Sequence, residues 1–214
     1  MEKFRISHKT KLGRFLKKTE ALSGLGGVKP VAVYAAHEYW AATDRNGRNL
    51  ILMPSPCDDN TPETNLNLPI AQYQPFYYKD RVALKKTWNN VDATEEKIEK
   101  LMFKSAEQST HYATLEIGNW STNIASFFYE LAHSFEGRCI DPEILYYIAS
   151  LEKEVKRVVQ VTIYLNPNDT GVPVCVEFPG CTVYMQPYLF PPTPAFQVEP
   201  IPSTETEVPS ETTE

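Results

Sequence analysis

Two tight-turn signatures constrain this chain more than any other feature. Asn46-Gly47 and Pro179-Gly180 each separate two runs rich in strand-forming residues. A type I′ turn needs positive φ at both central positions, which Asn-Gly supplies at little cost. Residues 31–43 and about 48–53 therefore read as one hairpin, and 172–178 and 181–186 as another. Hairpins impose antiparallel pairing. In the second, a turn centred on Pro179-Gly180 sets Cys175 opposite Tyr184 and not opposite Cys181.

Helical patterns lie between the hairpins. Ile98, Leu101 and Met102 share a face over about 93–107. Ile124, Phe127, Phe128, Leu131 and Phe135 form a stripe over about 122–136, with Ser121 as cap and Gly137 as stop. Asp141-Pro142 places a capping residue before a proline at the first helical position. The third helix runs from there to near Arg157, with Ile144, Leu145, Ile148, Leu151 and Val155 as its apolar face. Period-two alternation predicts strands at 111–117 and, through Val159, Val161, Ile163 and Leu165, at 159–165. The fold class is α+β: a mostly antiparallel sheet with about three helices packed on one face.

Prolines organise the rest. Pro54, Pro56, Pro62, Pro69 and Pro75 predict a long irregular loop over 54–81. From Tyr188 onward Pro, Glu, Thr and Ser dominate, with too little apolar area to offset the entropy of ordering. The organisation expected is a basic N-terminal arm or helix (1–27), one α+β domain (28–187) and a disordered acidic tail (188–214). Phe190, Phe196, Val198 and Ile201 in the tail read either as a linear motif or as residues lying on the domain, and Ser203 and Ser210 stand near acidic neighbours that suit phosphorylation.

Charge is polarised. The net formal charge is −6, yet residues 1–18 carry seven Lys or Arg against Glu2 alone. Residues 188–214 carry five Glu and no basic residue, which leaves the middle of the chain at about −7. Such a basic arm suits nucleic acid or an anionic surface, or else folds back on its own acidic domain. Leu12, Phe15, Leu16 and Leu22 recur near helical spacing, so an amphipathic helix that docks on a membrane surface or a partner groove is a third reading; Gly13 weakens it.

No apolar run approaches the roughly 20 residues that span a bilayer, and no apolar region follows the N-terminal lysines. The expected location is cytoplasmic, which deprives the Asn119 and Asn168 sequons of meaning. In a reducing compartment Cys57, Cys139, Cys175 and Cys181 read as free thiols.

Signatures of chemistry are few. His37-Glu38 lacks the second histidine of a zinc motif, and Glu130 with His133 lacks the partner helix of a di-iron site. Cys139 and His133 are near in sequence, which is no basis for a catalytic pair. Gly24-Leu25-Gly26-Gly27 follows a helix and leads into a strand, the reverse of a phosphate loop. No cofactor or metal is expected. A motif-free enzyme would draw first on His37, Glu38, His111 and Glu116.

The stretch Tyr73–Trp88 interleaves rings with cations. Flat rings that stack on bases, beside cations that track phosphates, hold single-stranded nucleic acid. The same pattern also describes a half-buried strand, because consecutive Phe76, Tyr77 and Tyr78 cannot share one groove. The leading reading is a non-enzymatic protein that contacts single-stranded DNA or RNA. Its contacts come from the arm (Lys9, Lys11, Arg14, Lys17, Lys18) and from Tyr77, Lys79, Arg81, Lys85, Lys86 and Trp88. The acidic segment would act as a competitor or recruit a partner. The alternative is a protein–protein module that binds a partner or itself, of the kind found among viral or phage structural proteins and inhibitors of host factors.

Overall fold

The computed structural model describes residues 3–24, 29–36, 39–54, 68, 71–88, 96, 109–117, 138–155, 159–166, 168, 169 and 171–189. Among the described residues ten strands form one sheet, antiparallel throughout, in the spatial order Lys3–Ser7, Arg81–Trp88, Ala71–Tyr77, Val31–Ala35, Tyr39–Asp44, Asn49–Pro54, Cys181–Met185, Val174–Phe178, Val159–Leu165 and Thr110–Ile117. The strands are β1 (Lys3–Ser7), β2 (Val31–Ala35), β3 (Tyr39–Asp44), β4 (Asn49–Pro54), β5 (Ala71–Tyr77), β6 (Arg81–Trp88), β7 (Thr110–Ile117), β9 (Val159–Leu165), β10 (Val174–Phe178) and β11 (Cys181–Met185). Two short strands, β8 (Arg138–Cys139) and β12 (Tyr188–Leu189), pair with each other.

Helices α1 (Lys11–Lys18) and α2 (Pro142–Val155), with a 3-10 turn at Thr19–Ser23, cover one face. Alternate strand residues meet them. Val33, Trp40, Ile51, Tyr73, Leu84, Ile163 and Val183 join Leu12, Phe15, Leu16, Leu145 and Ile148 in one core. The opposite face of the middle strands buries a smaller cluster of Tyr34, Ala41, Leu50 and Leu52. About three helices are expected from sequence; two are present among the described residues. Apart from Glu96, which is helical, the expected helix at 93–107 lies outside those residues, as do the one expected at 122–136 and the segment from 190 onward.

Several expectations are corrected. Within the stretch expected as a basic arm or helix, Lys3–Ser7 form β1, which pairs with β6 along its length, and α1 buries its apolar stripe in the core. The strand expected over 31–43 is two strands, β2 and β3, which fold back on each other so that Val33 opposes Ala42. The loop expected over 54–81 holds β5, with Pro75 inside it opposite Leu84. Proline is tolerated there because β2 pairs with β5 only from Val33↔Tyr73 to Ala35↔Ala71. Beyond Tyr73 no ladder runs on that side of β5 for a missing N–H to interrupt. Tyr188 and Leu189 belong to a strand and not to the acidic tail.

The second hairpin forms as read, with Cys175 opposite Tyr184 and Gly180 at φ 75°. In the first, the Gly47 N–H donates to the Asp44 carbonyl at 3.1 Å. The turn therefore spans Asp44–Gly47 and is not centred on Asn46-Gly47. The Asp44 carboxylate accepts from the Arg48 N–H and the Asn49 side chain, both at 2.9 Å.

Antiparallel registers fix which turns share an end of the sheet. Ser7 lies opposite Arg81, Tyr77 opposite Val82, Val31 opposite Asp44, and Asn49 opposite Met185. One rim therefore carries the Ser7–Lys11 turn, the Tyr78–Arg81 turn, the start of β2, the β3–β4 turn and the end of β11.

Candidate nucleic-acid interface

Thr10 sets the first corner of this rim. Its hydroxyl donates to the Ser7 carbonyl at 2.9 Å and accepts from the Gly13 N–H at 3.0 Å, which caps α1. The turn before it lies against the β5–β6 turn, where the His8 N–H donates to the Asp80 carbonyl at 3.1 Å. Two basic stretches distant in sequence thereby become neighbours. Lys9, Lys11, Arg14 and Lys79 are exposed here, with the Arg14 guanidinium donating to the Lys9 carbonyl at 2.8 Å. Arg81 sits 5.3 Å from the centre of the Tyr78 ring and 3.6 Å from the Asp80 carboxylate. His8 lies among them. Burial and the Lys17 charge lower its pKa below 6.5.

The same rim continues through Lys29, Arg45 and Arg48, all exposed. None of the three stands out in sequence, since each is a lone cation in a turn. Following the strand registers to ask which turns share an end would have found them. The described acids on or beside this rim are Asp44, Asp80, Asp169 and Glu20; Asp44 is occupied by the β3–β4 turn and Glu20 by Lys17 and Tyr147.

Other expected contacts lie elsewhere. Lys18 is 5% exposed and ion-paired with Glu152; its ammonium also donates to the Pro179 carbonyl at 3.0 Å. Lys17 is half-buried and paired with Glu20. The Tyr77 hydroxyl shares a hydrogen bond with Thr19 at 2.8 Å, and burial raises its pKa. Lys18 is thus an interior group, while Tyr77 is partly buried with its hydroxyl turned to Thr19. Lys85 and Lys86 are half-buried further along β6, in register with Lys3 and Tyr73 respectively, and Trp88 ends that strand opposite Gln72. Of the aromatic run, Tyr73 is fully buried, while Phe76 and Tyr78 are 39% and 49% exposed.

Where β2 and β5 part, a cleft of about 490 Å³ opens, lined by Glu20, Ser23, Lys29, Val31, Pro75 and Tyr77 among others. Glu20 is engaged by Lys17 and by the Tyr147 hydroxyl at 2.7 Å. The cleft does not gather the residues considered for an enzyme. His37 and Glu38 lie outside the described residues, and His111 is exposed on β7 with Nε2 2.9 Å from the Thr114 hydroxyl. Glu116 lies on β7 in register with Gln160. Among the described residues no three His, Cys, Asp or Glu come together as a metal site, and no helix is long and apolar enough to cross a membrane.

No family model and no curated protein matches the chain. Among solved structures it is similar to a DNA polymerase III beta subunit from Eubacterium rectale, at 8% identity and TM-score 0.42 over 88% of this chain and 65% of that one. It is also similar to Caulobacter crescentus pol III beta, at 12% identity and TM-score 0.41 over 89% of this chain and 66% of that one. The chain thus spans somewhat less than two thirds of each.

Proposed function

We propose that the protein is a non-catalytic binder of nucleic acid that holds the sugar–phosphate backbone along the basic rim of its sheet. The observation that carries this reading is the convergence of Lys9, Lys11, Arg14, Lys79 and Arg81 at two abutting turns, continued by Lys29, Arg45 and Arg48 along one end. From β1 to β4 the rim crosses five strand intervals. At about 4.8 Å each that is roughly 24 Å, the length of about seven base-pair steps at 3.4 Å.

The fold favours phosphate contact over base stacking. Tyr73 is buried, Tyr77 is partly buried and hydrogen-bonded to Thr19, and Arg81 already lies over the Tyr78 ring, which leaves Phe76 as the exposed ring of this run that no cation covers among the described residues. Stacking on several rings, the feature that would favour single strands, has less support than phosphate contact in this arrangement. Binding is therefore sequence-independent, similar for single and double strands, and strongly salt-dependent. Cys175 and Cys181 are free buried thiols, which suits a reducing compartment.

The test is fluorescence anisotropy with labelled 20-mer single-stranded and duplex DNA at low salt. The triple variant Lys9→Glu/Lys79→Glu/Arg81→Glu should lose at least about tenfold in affinity for both, with its circular dichroism unchanged. Equal affinity of variant and wild type would remove the rim from the reading. A loss confined to single strands would restore stacking as the main source of binding.

A further inference from the structure

We propose that the acidic segment 190–214 docks on the basic rim and competes there with nucleic acid. The idea rests on the rim being the nucleic-acid site, although the docking itself has its own test. Three observations converge on it.

The first is charge. Residues 190–214 contain Glu199, Glu205, Glu207, Glu211 and Glu214 and no Lys or Arg, whereas the rim exposes Lys9, Arg14 and Lys79 beside the half-buried Arg81, against Asp80 and a Glu20 already paired with Lys17.

The second is where the segment departs. β11 ends at Met185 opposite Asn49, and the Gln186 N–H donates to the Arg48 carbonyl at 2.8 Å. The chain therefore leaves the ten-stranded sheet at the rim that carries the cations, not at the opposite end, and is held once more, by pairing of Tyr188–Leu189 with Arg138–Cys139, before residue 190. Had β11 run the other way, the glutamates would start a full strand length away.

The third is reach. From β11 to β1 the sheet order gives six strand intervals, or roughly 29 Å at about 4.8 Å each. Glu199 follows Leu189 by ten residues and Glu214 by 25. Fully extended, those lengths reach at most about 35 and about 85 Å. A flexible tether of 25 residues has a root-mean-square span of about 25–30 Å, close to the distance required. Local concentration is highest when a tether's typical span matches its target, so weak charge pairing suffices to hold the segment.

Glutamates on the rim neutralise the cations that phosphates would otherwise contact, and a polynucleotide displaces them. Apparent affinity is then lower than the rim's intrinsic affinity. The gap closes as salt screens the tethered glutamates, since the screening length shrinks from about 10 Å at 0.1 M to about 3 Å at 1 M.

The experiment compares two full-length chains, wild type and Glu199→Gln/Glu205→Gln/Glu207→Gln/Glu211→Gln/Glu214→Gln. At about 50 mM salt the glutamine chain should bind labelled duplex DNA about five- to tenfold more tightly, with the difference gone by about 0.5 M. Equal affinities at low salt would overturn the competition. A second measurement reads docking without nucleic acid, by titrating a labelled peptide of residues 190–214 with the glutamine chain. Peptide binding that disappears when Lys9→Glu/Lys79→Glu/Arg81→Glu is added supports docking, even if DNA fails to bind and the proposed function falls. No peptide binding at low salt, or binding indifferent to the rim substitutions, would overturn docking whatever the DNA result.

Discussion

Lys18 and Glu152 form an ion pair within the core, joining α1 to α2, and the Lys18 ammonium reaches across to the β10–β11 turn through the Pro179 carbonyl. Removing one partner of such a pair strands the other charge away from water. Lys18→Met should therefore cost roughly 3–5 kcal/mol in denaturant unfolding, while Lys18→Met/Glu152→Leu should recover most of it. A double variant as unstable as the single one would show that the pair's hydrogen bonds matter more than the stranded charge.

His8 has a lowered pKa, so the unfolded chain takes up a proton near pH 6.5 that the folded chain refuses. The stability due to this residue is thus present above pH 6.5 and lost as pH falls from there through the lower folded value. Lys17, Lys79, Glu20 and Asp80 surround it, and the Lys17 charge contributes to the shift. His8→Gln should flatten that part of the stability–pH curve, which thermal melts between pH 5 and 7.5 would detect. Neither role was legible in sequence. A lysine among lysines reads as solvated, and only the packing of α2 shows that Glu152, not Leu151, takes the buried position.

At the level of elements, Gly13 shows how packing overrides propensity. Its placement in α1 costs about 1 kcal/mol relative to Ala by intrinsic preference. Yet a Cβ there would stand 1.8 Å from the Ser7 carbonyl oxygen, because α1 crosses close over the end of β1. Gly13→Ala should consequently destabilise, by about 1–3 kcal/mol or more, and move the Ser7–Lys11 turn with it. A raised melting temperature would contradict the close approach. The β10–β11 hairpin carries a second prediction. Burial pushes the Cys175 thiol up to about 12 and the Cys181 thiol up to about 11. Neither should react with iodoacetamide at pH 8 in the native protein, and both should react in denaturant. This hairpin, with its Cys175–Tyr184 register, was readable because turn and alternation agree locally. β5 was not, because Pro75 signals a break. That signal fails only where a neighbouring strand withdraws, which is a fact about tertiary structure.

On the scale of the whole molecule, the polarity of the charge was visible in the sequence and its geometry was not. Basic residues 1–18 and the cations of 79–86 appear as separate features until β1 pairs with β6 and brings two turns together. Packing of α1 and the 3-10 turn on the sheet buries Lys18 and partly buries Tyr77, so the proposed interface rests on a row of cations and not on a stacking platform. Lys29, Arg45 and Arg48 join that row through strand parity alone. The central claim is that this rim binds nucleic acid through phosphates. The most direct test is the slope of log Kobs against log salt for a 20-base-pair duplex, measured on the wild-type chain and the Lys9→Glu/Lys79→Glu/Arg81→Glu variant. With about five phosphates neutralised, the wild-type slope should lie near −4 to −5, and the variant should lose about three of those units. A slope near zero, or one that the three substitutions leave unchanged, would contradict the account.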